Sequence, residues 1–253
     1  MVTNLPNFIL VGAAKTGTTF LLKYLEQHPD IYIPNSNELY FHSKLKNFQG
    51  PYDKEKLKKQ TRSFKDYIKY FKNYNGEKII GEFATDYLYA YEESIKSIKE
   101  TIGRDVKIII VLRNPVDRSF SQYRHVVTKR QEPLEFWDAV NAQDEREKKK
   151  WRWTYQYINT SKYYSQVKAY IEAFDNVKVI IHEDIKANPK RTVEELYKFL
   201  GVEVKHFYNI TEKVNVKRVY KSKIFFKLSK LLEKVEGKLF NSMILSEIIN
   251  RLI

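Results

Sequence analysis

Phe8-Ile9-Leu10-Val11-Gly12-Ala13-Ala14-Lys15-Thr16-Gly17-Thr18-Thr19-Phe20 is the stretch on which the fold turns. A short apolar run of strand length enters a glycine-bounded turn, and a helical pattern follows it. Successive backbone N–H groups in such a turn, together with the positive end of the following helix, make a site for a phosphate-like anion. The ATP-type loop reads G-x-x-x-x-G-K-[ST]. Gly12, Gly17 and Thr19 fall at its glycine and hydroxyl positions, but Thr18 stands where its lysine belongs, and the lysine comes earlier in the loop as Lys15. A kinase or ATPase with this loop would lack the cation that reaches its terminal phosphates. No Walker-B aspartate follows a later strand either; the apolar runs end in Glu82, Arg113 and Glu183-Asp184.

Working outward from the loop, short apolar runs alternate with longer amphipathic segments, the pattern of a parallel sheet covered by helices. Phe8–Val11, Lys78–Gly81, Lys107–Leu112 and Val177–Ile181 read as buried strands, and Ile31–Ile33 as a shorter fifth. Helices are expected over Thr18–Gln27, Phe64–Lys72, Glu92–Thr101, Pro115–Thr128, Leu134–Arg146, Lys162–Phe174 and Thr192–Leu200. The helix at Pro115 carries Asn114 as N-cap, proline at its first position and Asp117 in its first turn, all favourable there. The fold class that follows is α/β, a P-loop-like three-layer α/β/α arrangement on a central, mostly parallel sheet of four to five strands. No repeat or low-complexity linker divides the chain, so residues 1–253 read as one domain with a basic amphipathic helical tail at about 221–253.

The 45 basic and 31 acidic residues leave a formal charge of +14, which favours anionic partners such as nucleotide phosphates, anionic sugars, nucleic acid or an anionic membrane. A lysine-rich composition alone would give the same excess. The absence of cysteine removes disulfides, thiolate metal sites and cysteine nucleophiles. Met1–Pro6 does not read as a secretory leader, and no run approaches the roughly 20 apolar residues of a membrane span, so a cytoplasmic protein is expected. In the tail, Ile224, Phe225, Leu228, Leu231, Leu232 and Val235 fall on one helical face among basic neighbours. Such a helix can lie on an anionic membrane, giving peripheral attachment, or pack on the domain or on a second subunit.

A second anion site is legible at Val111-Leu112-Arg113-Asn114-Pro115-Val116-Asp117-Arg118-Ser119-Phe120-Ser121-Gln122-Tyr123. A buried strand ends in Arg113 and a helix begins two residues later, so guanidinium and the Ser121 hydroxyl can meet one anion. The lysine-bearing loop, followed later by R-N-P-x-x-R-x-x-S, resembles the PAPS-dependent sulfotransferases (PAPS is 3′-phosphoadenosine 5′-phosphosulfate), closest to the heparan-sulfate, glycan-type and bacterial members. The resemblance spans roughly Asn7 to Leu200. It implies that Lys15 contacts the bridging oxygen of the leaving phosphate and that Thr16, Gly17, Thr18 and Thr19 hold the 5′-phosphate. It also implies that Arg113 and Ser121 bind the 3′-phosphate, that the product is 3′,5′-ADP, and that no metal is required. Lys217, Arg218 and Lys221 occupy the place where similar proteins close a loop over the nucleotide, and the sequence does not choose among them.

Pro34-Asn35-Ser36-Asn37-Glu38-Leu39-Tyr40-Phe41-His42 resembles the Lys-Glu-x-His-Phe-Phe segment of the glycan sulfotransferases, in which the glutamate is the catalytic base. Glu38 matches it; Asn37, Tyr40 and His42 depart from the pattern. His42 is the rival base, since a neutral imidazole titrates near physiological pH, and the sequence leaves the two open. Glu82 in Gly81-Glu82-Phe83-Ala84-Thr85-Asp86-Tyr87 is expected to face the acceptor cleft, with Asp86, and to orient the acceptor or assist Glu38. Glu183-Asp184 reads as structural. Trp151-Arg152-Trp153-Thr154-Tyr155 can either stack on sugar rings or pack in the core. The implied reaction is transfer of a sulfuryl group from PAPS to a hydroxyl acceptor, a glycan or glycolipid, with no specific nucleic-acid partner. The alternatives are a P-loop nucleotide kinase and a catalytically inactive relative that binds anions or nucleic acid.

Overall fold

The apolar runs become strands, and those at Phe8–Gly12, Ile79–Phe83 and Lys107–Leu112 are covered on both faces. The run at Val177–Ile181, expected to be buried, leaves Val179 and Ile181 exposed among the described residues. A computed structural model describes residues 4–34, 38–45, 48–52, 61 and 63–204. Its strands β1 (Phe8–Gly12), β2 (Ile31–Tyr32), β3 (Ile79–Phe83), β4 (Lys107–Leu112) and β5 (Val177–Ile181) form a parallel sheet in the order β2-β3-β1-β4-β5. Side chains alternate across it. Phe8, Leu10, Ile109 and Val111 pack on one face, with Leu21, Tyr24 and Leu25 of α1 (Thr18–Leu25). Ile9, Val11, Ile108 and Ile110 pack on the other, with Ile98 of α3 (Tyr91–Thr101) and, from α7 (Tyr163–Ala173), Tyr170. The expected three layers are present, and every pairing in the sheet is parallel.

The connections leave β1 and β4 in opposite directions, one toward β2 and the other toward β5. The crevice between their C-terminal ends is therefore the switch point, where open α/β sheets bind ligands. The phosphate loop follows β1, and Arg113 follows β4.

The remaining helices are α2 (Phe64–Lys69), α4 (Pro115–Thr128), α5 (Phe136–Asn141), α6 (Gln143–Lys148), α8 (His182–Ala187) and α9 (Pro189–Leu200). Helix α4 starts as expected, with the Asn114 side chain accepting from the N–H groups of Val116 (3.0 Å) and Asp117 (3.3 Å). The single helix expected over Leu134–Arg146 is instead two, divided at Ala142. Arg146 then reaches inward to a two-pronged pair with Glu132 (2.6 and 2.8 Å), and the Tyr157 hydroxyl donates to the same carboxylate (2.6 Å). Helix α8 was not expected. It places Glu183 in its first turn, where the carboxylate accepts from the Asn114 N–H (3.3 Å), in keeping with a structural role. Trp153 and Tyr155 are buried, so the aromatic run packs in the core, with Trp153 stacked on Tyr89. Residues 205–253, including the expected tail helix and Lys217, Arg218 and Lys221, lie outside the described residues.

Gly81 faces Phe8 across the β1–β3 register, and a Cβ there would lie 2.3 Å from the Phe8 ring and 2.9 Å from Ile33 Cγ1. Gly81→Ala is expected to lower stability by about 1–3 kcal/mol, the usual range for overpacking. Denaturant unfolding checks this; an unchanged midpoint would contradict the packing of β1 on β3.

Candidate active site

The phosphate loop is held from three sides. Its start is bonded to β4 through Ala13 N–H and the Val111 carbonyl (2.8 Å), and Thr16, fully buried, donates its hydroxyl to the Ala13 carbonyl (2.7 Å). That proton is committed to the loop itself, so Thr16 offers a ligand its backbone. Lys15 adopts left-handed backbone (φ 70), a conformation costly for a residue with a side chain and often found where function requires it. Its ammonium lies 3.5 Å from His125 Nδ1. Thr18 is buried in the first turn of α1, and Thr19 beside it is exposed.

The two anion motifs meet. Arg113, 98 residues from Lys15, donates from Nη1 to the Lys15 carbonyl (3.4 Å). Its Nε is buried and has no hydrogen-bond partner among the described residues. The Nδ1 of His182 is likewise buried and unpartnered, against Gly17. Burial and the Arg113 charge hold the His182 imidazole below its usual range. An unsatisfied guanidinium donor beside a lysine and a helix N-terminus is a donor set that suits phosphate or sulfate oxygens. Ser121 stands half-buried on α4, one turn before His125. Sequence reading missed His125, although its i+4 spacing from Ser121 was the available signal. Among the described residues no group of three or more His, Cys, Asp or Glu side chains is arranged to hold a metal ion.

Glu38 is brought to the same edge by β3. Its Oε1 accepts from the Thr85 N–H (2.9 Å) and from the Thr85 hydroxyl, and its Oε2 accepts from the Tyr40 hydroxyl. Tyr40, a departure from the glycan-type pattern, takes left-handed backbone to do so (φ 54). Thr85 in turn packs on Gly12, where a Cβ would lie 2.9 Å from the Thr85 carbonyl oxygen. The half-buried Glu38 therefore sits beside the phosphate loop with hydrogen bonds that steady its carboxylate and leave acceptor capacity.

Glu82 and His42 lie elsewhere. Strand β3 runs on to Phe83, so Glu82 is inside the strand rather than after it and is 1% exposed. Its two oxygens accept from the hydroxyls of Tyr67 and Tyr87 (2.5 Å each). Burial first, then the Glu82 charge, pushes both phenols well above their usual range. His42 is fully buried, with Nδ1 3.0 Å from Ser97 Oγ and Nε2 3.2 Å from the Tyr67 hydroxyl. The Tyr87 hydroxyl also accepts from the N–H groups of Phe41 (3.0 Å) and His42 (3.2 Å). Glu82 and His42 thus belong to a buried network that props the segment bearing Glu38.

Asp86 is fully buried, and neither of its oxygens has a hydrogen-bond partner among the described residues. Its acid is pushed up to about 8, chiefly by burial and next by the Glu38 charge.

A parallel sheet whose switch point holds a lysine-bearing phosphate loop, a strand-end arginine and a steadied carboxylate is the architecture of a group-transfer enzyme with an anionic donor. The model of the sulfotransferase family matches residues 6–206. The crystal structure of a sulfotransferase from Alicyclobacillus acidocaldarius superposes with a TM-score of 0.78 at 32% identity, covering 94% of this chain and 97% of that one. The chain belongs to the sulfotransferase family. It is also similar to the membrane-associated sulfotransferase kil1 of Dictyostelium discoideum, at 34% identity over 52% of this chain and 26% of that protein. The human bifunctional heparan sulfate N-deacetylase/N-sulfotransferase 3 matches at 24% identity over 82% of this chain and 23% of that protein. This chain thus spans about a quarter of the length of these two curated relatives.

The folded protein holds the Asp86 proton between pH 3.8, where an ordinary Asp releases it, and about pH 8. Stability from this group is therefore fully present below the lower value and is lost as pH rises through the upper one. Asp86→Asn is expected to gain stability relative to the parent as pH rises from about 5 to about 9. Urea midpoints at both ends check this, and a difference independent of pH would contradict it.

Proposed function

We propose that this chain transfers a sulfuryl group from PAPS to an acceptor hydroxyl, with Glu38 as the base. The carrying observation is convergence: Arg113 holds the Lys15 carbonyl, and Glu38 hangs from Thr85, which packs on Gly12 at the start of the same loop. Bound PAPS supplies the activated sulfuryl group. The backbone of Thr16 to Thr19 and the positive end of α1 bind the 5′-phosphate, and Arg113 with Ser121 binds the 3′-phosphate. Lys15 neutralises charge growing on the leaving phosphate, and His125, 3.5 Å away, steers its ammonium. Glu38 takes the acceptor proton while Thr85 and Tyr40 fix its orientation. Lysine and backbone dipoles supply the positive charge that a kinase would draw from a metal.

A glycan or glycolipid is the proposed acceptor. The relatives named for heparan sulfate support a sugar, as hydroxyl or amine, and the relative named as membrane-associated supports an acceptor at a membrane surface. Residues 205–253 carry 11 basic and 4 acidic side chains, half of the chain's net charge, which suits peripheral attachment to an anionic surface. Among the described residues no helix is long and apolar enough to cross a membrane. A chain carrying Thr18 after Gly17 lacks the loop lysine on which the nucleotide-kinase reading depends.

Labelled-sulfate transfer from PAPS to a panel of glycans and glycolipids tests the reading. Lys15→Ala and Glu38→Gln should each lower turnover by about 100-fold or more, and Glu38→Gln should keep its affinity for 3′,5′-ADP. Full turnover in Glu38→Gln would refute the base assignment.

A further inference from the structure

Arg118 has 0% exposure and is the largest fully buried side chain among the described residues. A buried guanidinium is ordinarily paired with a carboxylate, because an unpaired charge in the interior is costly. This one is held by neutral oxygens. Nε donates to Ser161 Oγ (2.5 Å), and Nη2 donates to the Tyr157 carbonyl and to Thr160 Oγ1 (2.6 Å each). Nη1 makes a long contact, 3.5 Å, with the carbonyl of Ala14, the residue before Lys15. The ionisable groups acting on it are Tyr163 and Arg113, neither a carboxylate, and burial lowers the guanidinium to about 10. Other cations nearby are compensated or wetter: Arg113 is partly exposed and lies 3.8 Å from Asp117, and Arg146 is paired with Glu132. Arg118 is thus a buried positive charge behind the phosphate loop whose counter-charge the described residues do not provide.

We propose that Arg118 is a positioning residue for the nucleotide donor: it fixes the Ala14 carbonyl behind Lys15, and its missing counter-charge is that of the bound phosphates. The inference rests on the donor reading given above. It explains why an arginine is kept where an apolar side chain would fit more cheaply. The oxygens Arg118 satisfies have other partners. The Tyr157 carbonyl also accepts from the hydroxyls of Ser119 (2.8 Å) and Ser161 (3.2 Å). Ser161 Oγ is bonded to Ser119 Oγ (2.8 Å), and Thr160 Oγ1 donates to the Gln156 carbonyl. Apart from the half-buried Ala14 carbonyl, Arg118→Met therefore strands none of these oxygens, and buried charges replaced by apolar groups often leave stability unchanged or raised.

The test pairs unfolding of the nucleotide-free protein with calorimetric titration of 3′,5′-ADP for the wild type, Arg118→Met and Arg118→Lys. Arg118→Met is expected to keep or raise the unfolding midpoint while its affinity falls by about tenfold or more. Arg118→Lys, which keeps the charge, should recover most of that loss. A merely structural role predicts the reverse for Arg118→Met, a lower midpoint with unchanged affinity, and that result would overturn the proposal. If Arg118→Met does not fold, Arg118→Gln against Arg118→Lys decides: equal affinities refute the proposal, and weaker binding by Arg118→Gln supports it. Wild-type protein that does not bind 3′,5′-ADP would refute the donor reading itself, whereas wild-type binding with an indifferent Arg118→Met refutes this inference alone.

Discussion

Close backbone approach at Gly12 is the constraint on which the site depends. At the C-terminal end of β1 the Leu88 N–H bonds the Val11 carbonyl (2.7 Å), and the Ala84 N–H bonds that of Leu10 (3.1 Å). On the other side the Ala13 N–H bonds Val111 of β4 (2.8 Å). The segment after β3 presses on Gly12 so closely that a Cβ there would lie 2.9 Å from Leu88 Cβ and from the Thr85 carbonyl oxygen, at a φ of 141 that other residues avoid. Through this contact the end of β3, which carries Glu38 by way of Thr85, and the end of β4, which carries Arg113, are set against one loop.

Three carboxylates near that point show how environment divides chemistry among like groups. Glu82 is enclosed and saturated by two phenols, and it stabilises the segment above it. Glu38 is half-buried and held by a backbone N–H and two hydroxyls, which suits a base that must exchange a proton with an acceptor. Asp86 is buried without such partners and remains protonated to about pH 8. Left-handed backbone at Lys15 and Tyr40 and the unpartnered Arg113 Nε are further costs carried by this part of the structure.

Much of this was legible because the decisive signals are local. Apolar runs of strand length marked all five strands, the Asn114-Pro115 pair marked the start of α4, and glycine spacing marked the loop. What escaped depends on partners distant in sequence. Whether Glu82 faces a cleft or a core is decided by two more residues of pairing with β1 and by Tyr67 and Tyr87, which no spacing around Glu82 announces. His42 read as a candidate base because a lone histidine carries no sign of its burial. Arg118 stood in the R-N-P-x-x-R-x-x-S pattern with no role of its own, and its enclosure comes from a turn about 40 residues later. Beyond the break at Ala142, Arg146 turns inward to Glu132, a contact that helical periodicity does not encode.

The central claim is that two phosphate sites, one on the Lys15 loop and one at the Arg113–Ser121 corner, act on a single nucleotide. Calorimetric titration of the full chain with 3′,5′-ADP, beside 5′-ADP and ATP with Mg²⁺, tests it most directly. The account predicts micromolar or tighter binding that requires the 3′-phosphate and is indifferent to Mg²⁺. Equal binding of 5′-ADP, or a preference for ATP with Mg²⁺, would contradict it.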